Sequence, residues 1–223
     1  MSYHSESRIG AICAIAGSVL LFAGTYLHPQ EADPNAAVLA FAEYASDRLW
    51  IASHLTQLAG VALIVTALLF LGQQLEAGSG SGWSRAAAGG AIASLAVAAA
   101  LQAVDGIALK VMVDAWTAAT APQKEITFQA AFAVRQVEIG LASMLSLLFG
   151  LTAVGYGAAL IIDGSYPGWV GWLAILAGVP TTVAGVVMAY TGFSALAMAI
   201  NMPASFLFLG WMLTLGVFMW RKR

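Results

Sequence analysis

The chain has one cysteine, three histidines and few charges for its 223 residues. A lone cysteine, Cys13, excludes an intrachain disulfide, and as a small side chain in an apolar stretch it reads as a packing residue. Asp, Glu, Lys and Arg make up 9% of the residues, against about a quarter in a typical soluble domain. That is too little charge to cover a globular surface, so a soluble domain is excluded. The net charge is −2 with no basic stripe, and no nucleic-acid partner is expected. Also missing are a Gly-x-Ser-x-Gly elbow, a His-Glu-x-x-His pair and a phosphate loop, the usual marks of hydrolases, zinc peptidases and nucleotide enzymes.

What is there is apolar length. The chain is 61% hydrophobic, and stretches of roughly 20 residues recur, each able to cross a hydrocarbon layer about 30 Å thick. Six are read, at about 8–27, 51–73, 86–112, 130–161, 168–192 and 203–220. In lipid the backbone must satisfy its own hydrogen bonds, so the fold class is all-α, a polytopic bundle of six transmembrane helices forming one domain. Arg8, Arg85 and Arg221-Lys222-Arg223 would share one side of the membrane, with only Arg48 and Lys124 in the opposite loops. By the positive-inside rule both termini are cytoplasmic. Trp50 and Trp116 then mark the outer interface, and Trp83, Trp169, Trp172 and Trp220 the inner one. The first stretch has no small-x-small site close behind it and is read as a helix, not a cleaved signal.

The outer loop, 28–50, is the longest connection. Asp33-Pro34-Asn35 predicts the start of a short helix over 35–45, with Val38, Leu39, Ala42 and Ala45 as its apolar stripe. Residues 76–82 form a flexible Gly/Ser connector. Gly171, Gly178, Gly185 and Gly192 recur every seven positions, and Ala86, Gly90, Ser94 and Ala98 every four, as expected of close-packed membrane helices. Pro180 predicts a kink in the fifth span, with Thr181 and Thr182 able to satisfy part of the freed backbone. No internal repeat of the kind common in transporters is present. The segment Leu148-Phe-Gly-Leu-Thr-Ala-Val-Gly155, followed by Gly164-Ser-Tyr-Pro-Gly-Trp-Val-Gly171, resembles an element of an uncharacterised bacterial family of six-helix membrane proteins. In that family a Gly-containing helix ends in a Ser-x-x-Pro-x-x-x-Gly turn; here the turn is Ser165-Tyr-Pro167 with Gly168 and Gly171. The resemblance implies a multi-pass protein of the bacterial inner membrane and brings no known activity, cofactor or partner with it.

The polar residues inside these stretches are the candidate site, because charges in a membrane segment usually pair or line a cavity. On the third span Gln102, Asp105 and Lys110 fall within about 140° of arc at 100° per residue. Arg135 and Glu138 share a face of the fourth, as do His54 and Gln57 on the second. An inward turn of these faces would gather His54, Gln57, Asp105, Lys110, Arg135 and Glu138 into one layer near the outer surface, with Arg135 clamping Asp105 or Glu138. The alternative is a pair of long helices projecting outward with solvated ion pairs on their tips. His28, His54 and Glu138 would make a two-His, one-carboxylate set, but with so few histidines no metal site is expected. The inner half has no ionisable side chain from Ala86 to Leu101 or from Leu147 to Ile162, which argues against a path through the membrane. The expected function is therefore the binding of a lipid, or of a small amphipathic or anionic ligand, in a one-sided outer pocket. The alternatives are an accessory subunit contacting a membrane protein partner or a second copy, and an intramembrane enzyme.

Overall fold

A computed structural model describes residues 3–29 and 31–222. Every regular element among the described residues is a helix: α1 (Tyr3–Leu27), α2 (Ala37–Ser46), α3 (Trp50–Gln74), α4 (Ser81–Gln102), a π-helical segment (Ala103–Leu109), α5 (Lys110–Ala118), α6 (Ala121–Asp163), α7 (Gly168–Thr191) and α8 (Ala195–Arg221). Among the described residues six helical runs are long and apolar enough to cross a membrane, with α4, the π segment and α5 counted as one continuous run. The six-span, all-α reading holds.

The limits of four runs differ from the sequence expectation, the first beginning at Tyr3 and not near residue 8. The third begins at Ser81 and the fourth at Ala121, each starting well before its apolar stretch. The last begins at Ala195, where Ser194 Oγ accepts the amide of Ala197 at 3.2 Å, and it runs on through Pro203. Hydropathy finds the lipid-facing part of a helix and misses ends that leave the hydrocarbon; a helix starts where its cap is.

The six runs close into a ring, with contacts in the order α1–α3–α4–α6–α7–α8 and back to α1. The α6–α7 contact depends on glycine. A Cβ on Gly171 would lie 2.7 Å from the carbonyl oxygen of Gly157, and one on Gly178 2.5 Å from that of Gly150. Gly192, the last of the sevenfold series, instead ends α7 in a left-handed turn at φ 63°. On α4 the buried small face is Ala87, Ala91, Ser94 and Ala98, and Ala86 is exposed. Pro180 lies inside an unbroken α7, where Thr181 and Thr182 donate to the carbonyls of Ala177 and Gly178.

Two hydrophobic cores stack along the ring axis. The larger fills the half containing the N-terminus of α1 and the C-terminus of α8, and includes Ile64, Leu68, Tyr156, Trp211 and Met212. The smaller lies at the α2 end and joins Phe41, Tyr44, Trp50, Leu109, Val113 and Trp116. α6 needs that second core. Its 43 residues span about 65 Å, twice the hydrocarbon thickness. The projecting parts of α5 and α6 are covered by α2, whose buried face is Ala40, Phe41 and Tyr44. Val38 and Leu39, expected on that face, are 56% and 65% exposed, because the larger aromatic rings set the phase of the helix.

Candidate functional site

Beneath α2 the chain gathers ionisable side chains into two separate pairs. His54 Nε2 lies 3.0 Å from Asp105 Oδ2, joining α3 to the π segment. One guanidinium nitrogen of Arg135 lies 2.8 Å from both carboxylate oxygens of Glu138, within α6. Arg135 thus clamps Glu138, and Asp105 is held by a histidine.

Each position has a local cause. Asp105 sits in a π-helical segment, a geometry frequent at functional sites, and Trp50 Nε1 donates to its backbone carbonyl at 3.1 Å. The residue after it must be glycine: a Cβ on Gly106 would lie 2.6 Å from Cβ of His54. His54 Nδ1 is 2.7 Å from the carbonyl oxygen of Trp50, one turn back on α3. That oxygen only accepts, so Nδ1 carries a proton and Nε2 is the nitrogen presented to Asp105. The second carboxylate oxygen of Asp105, Oδ1, is buried with no hydrogen-bond partner.

His28, just beyond α1, completes this group. Its ring lies 5.0 Å from that of His54, 4.8 Å from Trp50 and 6.1 Å from Tyr44, centre to centre. Its Nδ1 faces the carbonyl oxygen of Pro29 at 2.8 Å. Burial pushes its pKa down, with the nearby Asp105 carboxylate opposing. Tyr44, on α2, has its phenol pushed up to about 12 by burial, against the pull of Arg135.

The Arg135–Glu138 pair is buried, with relative exposures of 5% and 3%, so these charges are not solvated helix tips. The helices do project as the alternative reading expected, but α2 and its flanking loop cover them. The guanidinium lies between the rings of Tyr44 and Phe193, 5.5 and 4.9 Å from their centres, and also donates to the carbonyl of Pro34 at 3.3 Å. Three further bonds fasten the loop. Glu43 accepts the amides of Glu31 and Ala32, and the Asn35 side chain donates to the carbonyl of Phe193.

Lys110 stands apart from the carboxylates of the layer. Its Nζ donates to the carbonyls of Tyr44 and Ala45 at 3.0 and 2.8 Å, and to Asp114. It neutralises the C-terminal end of α2, where unpaired carbonyls and the helix dipole favour a cation.

Gln57 and Gln102 form a third group, one turn deeper. Gln102 Nε2 donates to Gln57 Oε1 at 3.2 Å, while Gln102 Oε1 is buried without a partner. Both amides line a cavity of about 510 Å³ enclosed by α1, α3, α4, α6, α7 and α8. Its walls are mainly apolar, with Thr25, Tyr26, Ser146, Thr181, Asn201 and Ser205 as other polar groups and no charged side chain. Phe22, Tyr26, Met202 and Phe206 line it and are also exposed, so it reaches the bundle surface between α1 and α8.

The seven sequence-predicted residues therefore divide. His54 and Asp105 meet; Arg135 and Glu138 meet; Gln57 and Gln102 line the cavity; Lys110 holds α2. Sequence reasoning left out Tyr44, Trp50 and Phe193, and it paired the histidines with Glu138 where the fold supplies Asp105. The i, i+4 spacing of Trp50 and His54 was the available signal.

This architecture defines the chain as a multi-pass α-helical membrane protein with a buried ionic layer over a mainly apolar cavity. Compared with known protein families, curated proteins and solved structures, it matches none.

Proposed function

We propose that this protein binds an uncharged amphipathic molecule, a lipid or a quinone-like compound, in the cavity between α1 and α8. The observation that carries this reading is the cavity's chemistry. It has about 510 Å³ of mainly apolar space, within the 300–1,000 Å³ usual for ligand sites, and at one end a glutamine pair with a spare buried acceptor. A hydroxyl or other donor on the ligand head would satisfy Gln102 Oε1, and the tail would leave between Phe22 and Phe206 into the bilayer. An anionic head is disfavoured, because neither Arg135 nor Lys110 lines the cavity. With the basic residues inside, the cavity belongs to the outer leaflet of the inner membrane and both termini are cytoplasmic.

The test is lipid extraction and native mass spectrometry of protein purified in mild detergent. One amphipathic molecule per chain is expected. Ser205→Trp, which fills the cavity, should abolish its retention, and Gln57→Leu with Gln102→Leu should weaken it by roughly tenfold or more, about one buried hydrogen bond. Retention unchanged in both variants would sink the reading.

A further inference from the structure

The geometry points to a three-ligand site for a divalent transition-metal ion of the zinc class, formed by His28, His54 and Asp105. One ligand atom from each lies within 4.8 Å of the other two. Around a tetrahedral zinc with bonds of about 2.0–2.1 Å, ligand atoms stand about 3.3 Å apart. The His54–Asp105 pair is already near that spacing at 3.0 Å, and the longest separation has to shorten by about 1.5 Å.

Three independent features fit a metal better than a plain ion pair. Both imidazoles direct Nδ1 at a backbone carbonyl, of Pro29 and of Trp50, which fixes the tautomer that offers Nε2 as a lone pair. With Nδ1 so occupied, His54 Nε2 and an Asp105 carboxylate oxygen converge at 3.0 Å, a spacing that a cation can bridge as well as a proton. Asp105 Oδ1 is a further buried oxygen with no donor. The neighbouring guanidinium does not compete for Asp105, because its own hydrogen bonds go to Glu138 and Pro34. Two imidazoles and one carboxylate suit zinc, iron or cobalt better than calcium or magnesium. Three protein ligands leave a position for water, as in catalytic sites and unlike closed structural ones. The inference stands apart from the cavity's occupant, since none of the three residues lines the cavity.

The test uses full-length protein carrying no histidine tag, stripped with chelator and titrated with zinc alone by calorimetry and with cobalt(II) by visible absorption. One zinc per chain is expected, with the intense d–d bands of a low-coordinate cobalt site. His28→Gln, His54→Gln and Asp105→Asn should each weaken binding by more than about 100-fold, beyond the 10–100-fold typical of an outer-shell loss. His4→Gln, at the other end of α1, should leave it unchanged. Gel filtration and thermal unfolding accompany each variant; His28, outside the helices, is the position least tied to folding. A different first-row metal found at one per chain and lost in the same variants supports the site. Absence of saturable binding by the wild-type protein, or binding that survives His28→Gln in folded protein, overturns it.

Discussion

At the scale of residues, two carboxylates a short distance apart are held in different ways. Glu138 is locked to Arg135 by two hydrogen bonds from one nitrogen, out of contact with solvent. Removing one partner of such a pair strands the other, at a cost of about 3–5 kcal/mol, whereas exchanging both for apolar groups is often neutral. Arg135→Ala is thus expected to lower the thermal stability of the detergent-solubilised protein markedly, while Arg135→Met combined with Glu138→Leu restores most of it. Equal losses in the single and double variants would show that the pair is not an energetic unit. Sequence spacing allowed this pair as one of two alternatives for Arg135, since i, i+3 neighbours share a helix face. It could not give the partner of Asp105. That choice depends on a π-helical segment, which shifts the register of every later side chain, and on Gly106 letting α3 come close. A Cβ at Gly106 has no room beside His54, so Gly106→Ala should destabilise by about 1–3 kcal/mol as an overpacked contact. Gly89→Ala, with open space around it, is the control and should be neutral or slightly stabilising. Unfolding midpoints in one detergent decide between them.

At the scale of elements, α2 is a ten-residue helix too short to be stable alone and is held by what it covers. Its underside packs on Trp50, Leu109, Val113 and Trp116, and its C-terminal carbonyls are held by Lys110. Hydrogen bonds from a charged donor contribute about 1.5–3 kcal/mol, so Lys110→Met should speed amide exchange across 37–46 by about 10- to 100-fold. Exchange along α7 should not change, and acceleration spread evenly over the bundle would count against a local clamp. The existence of this helix was legible from Asp33-Pro34-Asn35, and its facing was not. A stripe of Val, Leu and Ala fits helical periodicity as well as the true one, and only the pocket offered by Trp116 and Phe128 selects Phe41.

At the scale of the whole molecule, hydropathy identified six spans because lipid imposes that pattern on any helix crossing it. The ring order was not legible, since most of its contacts depend on shape between small residues and carry no local signature. The near absence of cysteine makes the ring easy to test. In a Cys13→Ala background, cysteines at Phe22 and Phe206, whose rings lie 6.4 Å apart, can be joined by a short bis-methanethiosulfonate, which forms a disulfide with each thiol and releases sulfinate. The joined protein is expected to exchange a labelled amphipath at least tenfold more slowly than the same protein after reduction of the linker. Equal rates would place the entrance elsewhere.

The α1–α8 contact carries one more consequence. It ties the first helix of the chain to the last, with Ser7 Oγ donating to the carbonyl of Met219 at 2.6 Å. Domains are assembled from the N-terminal side as synthesis proceeds. Until α8 is made, α1 has a neighbour on one flank only, and the space now enclosed lies open to the bilayer. The last junction to form in time is also the one at which the cavity reaches the bundle surface. Whatever the cavity holds has two ways in: through that junction, or before it exists.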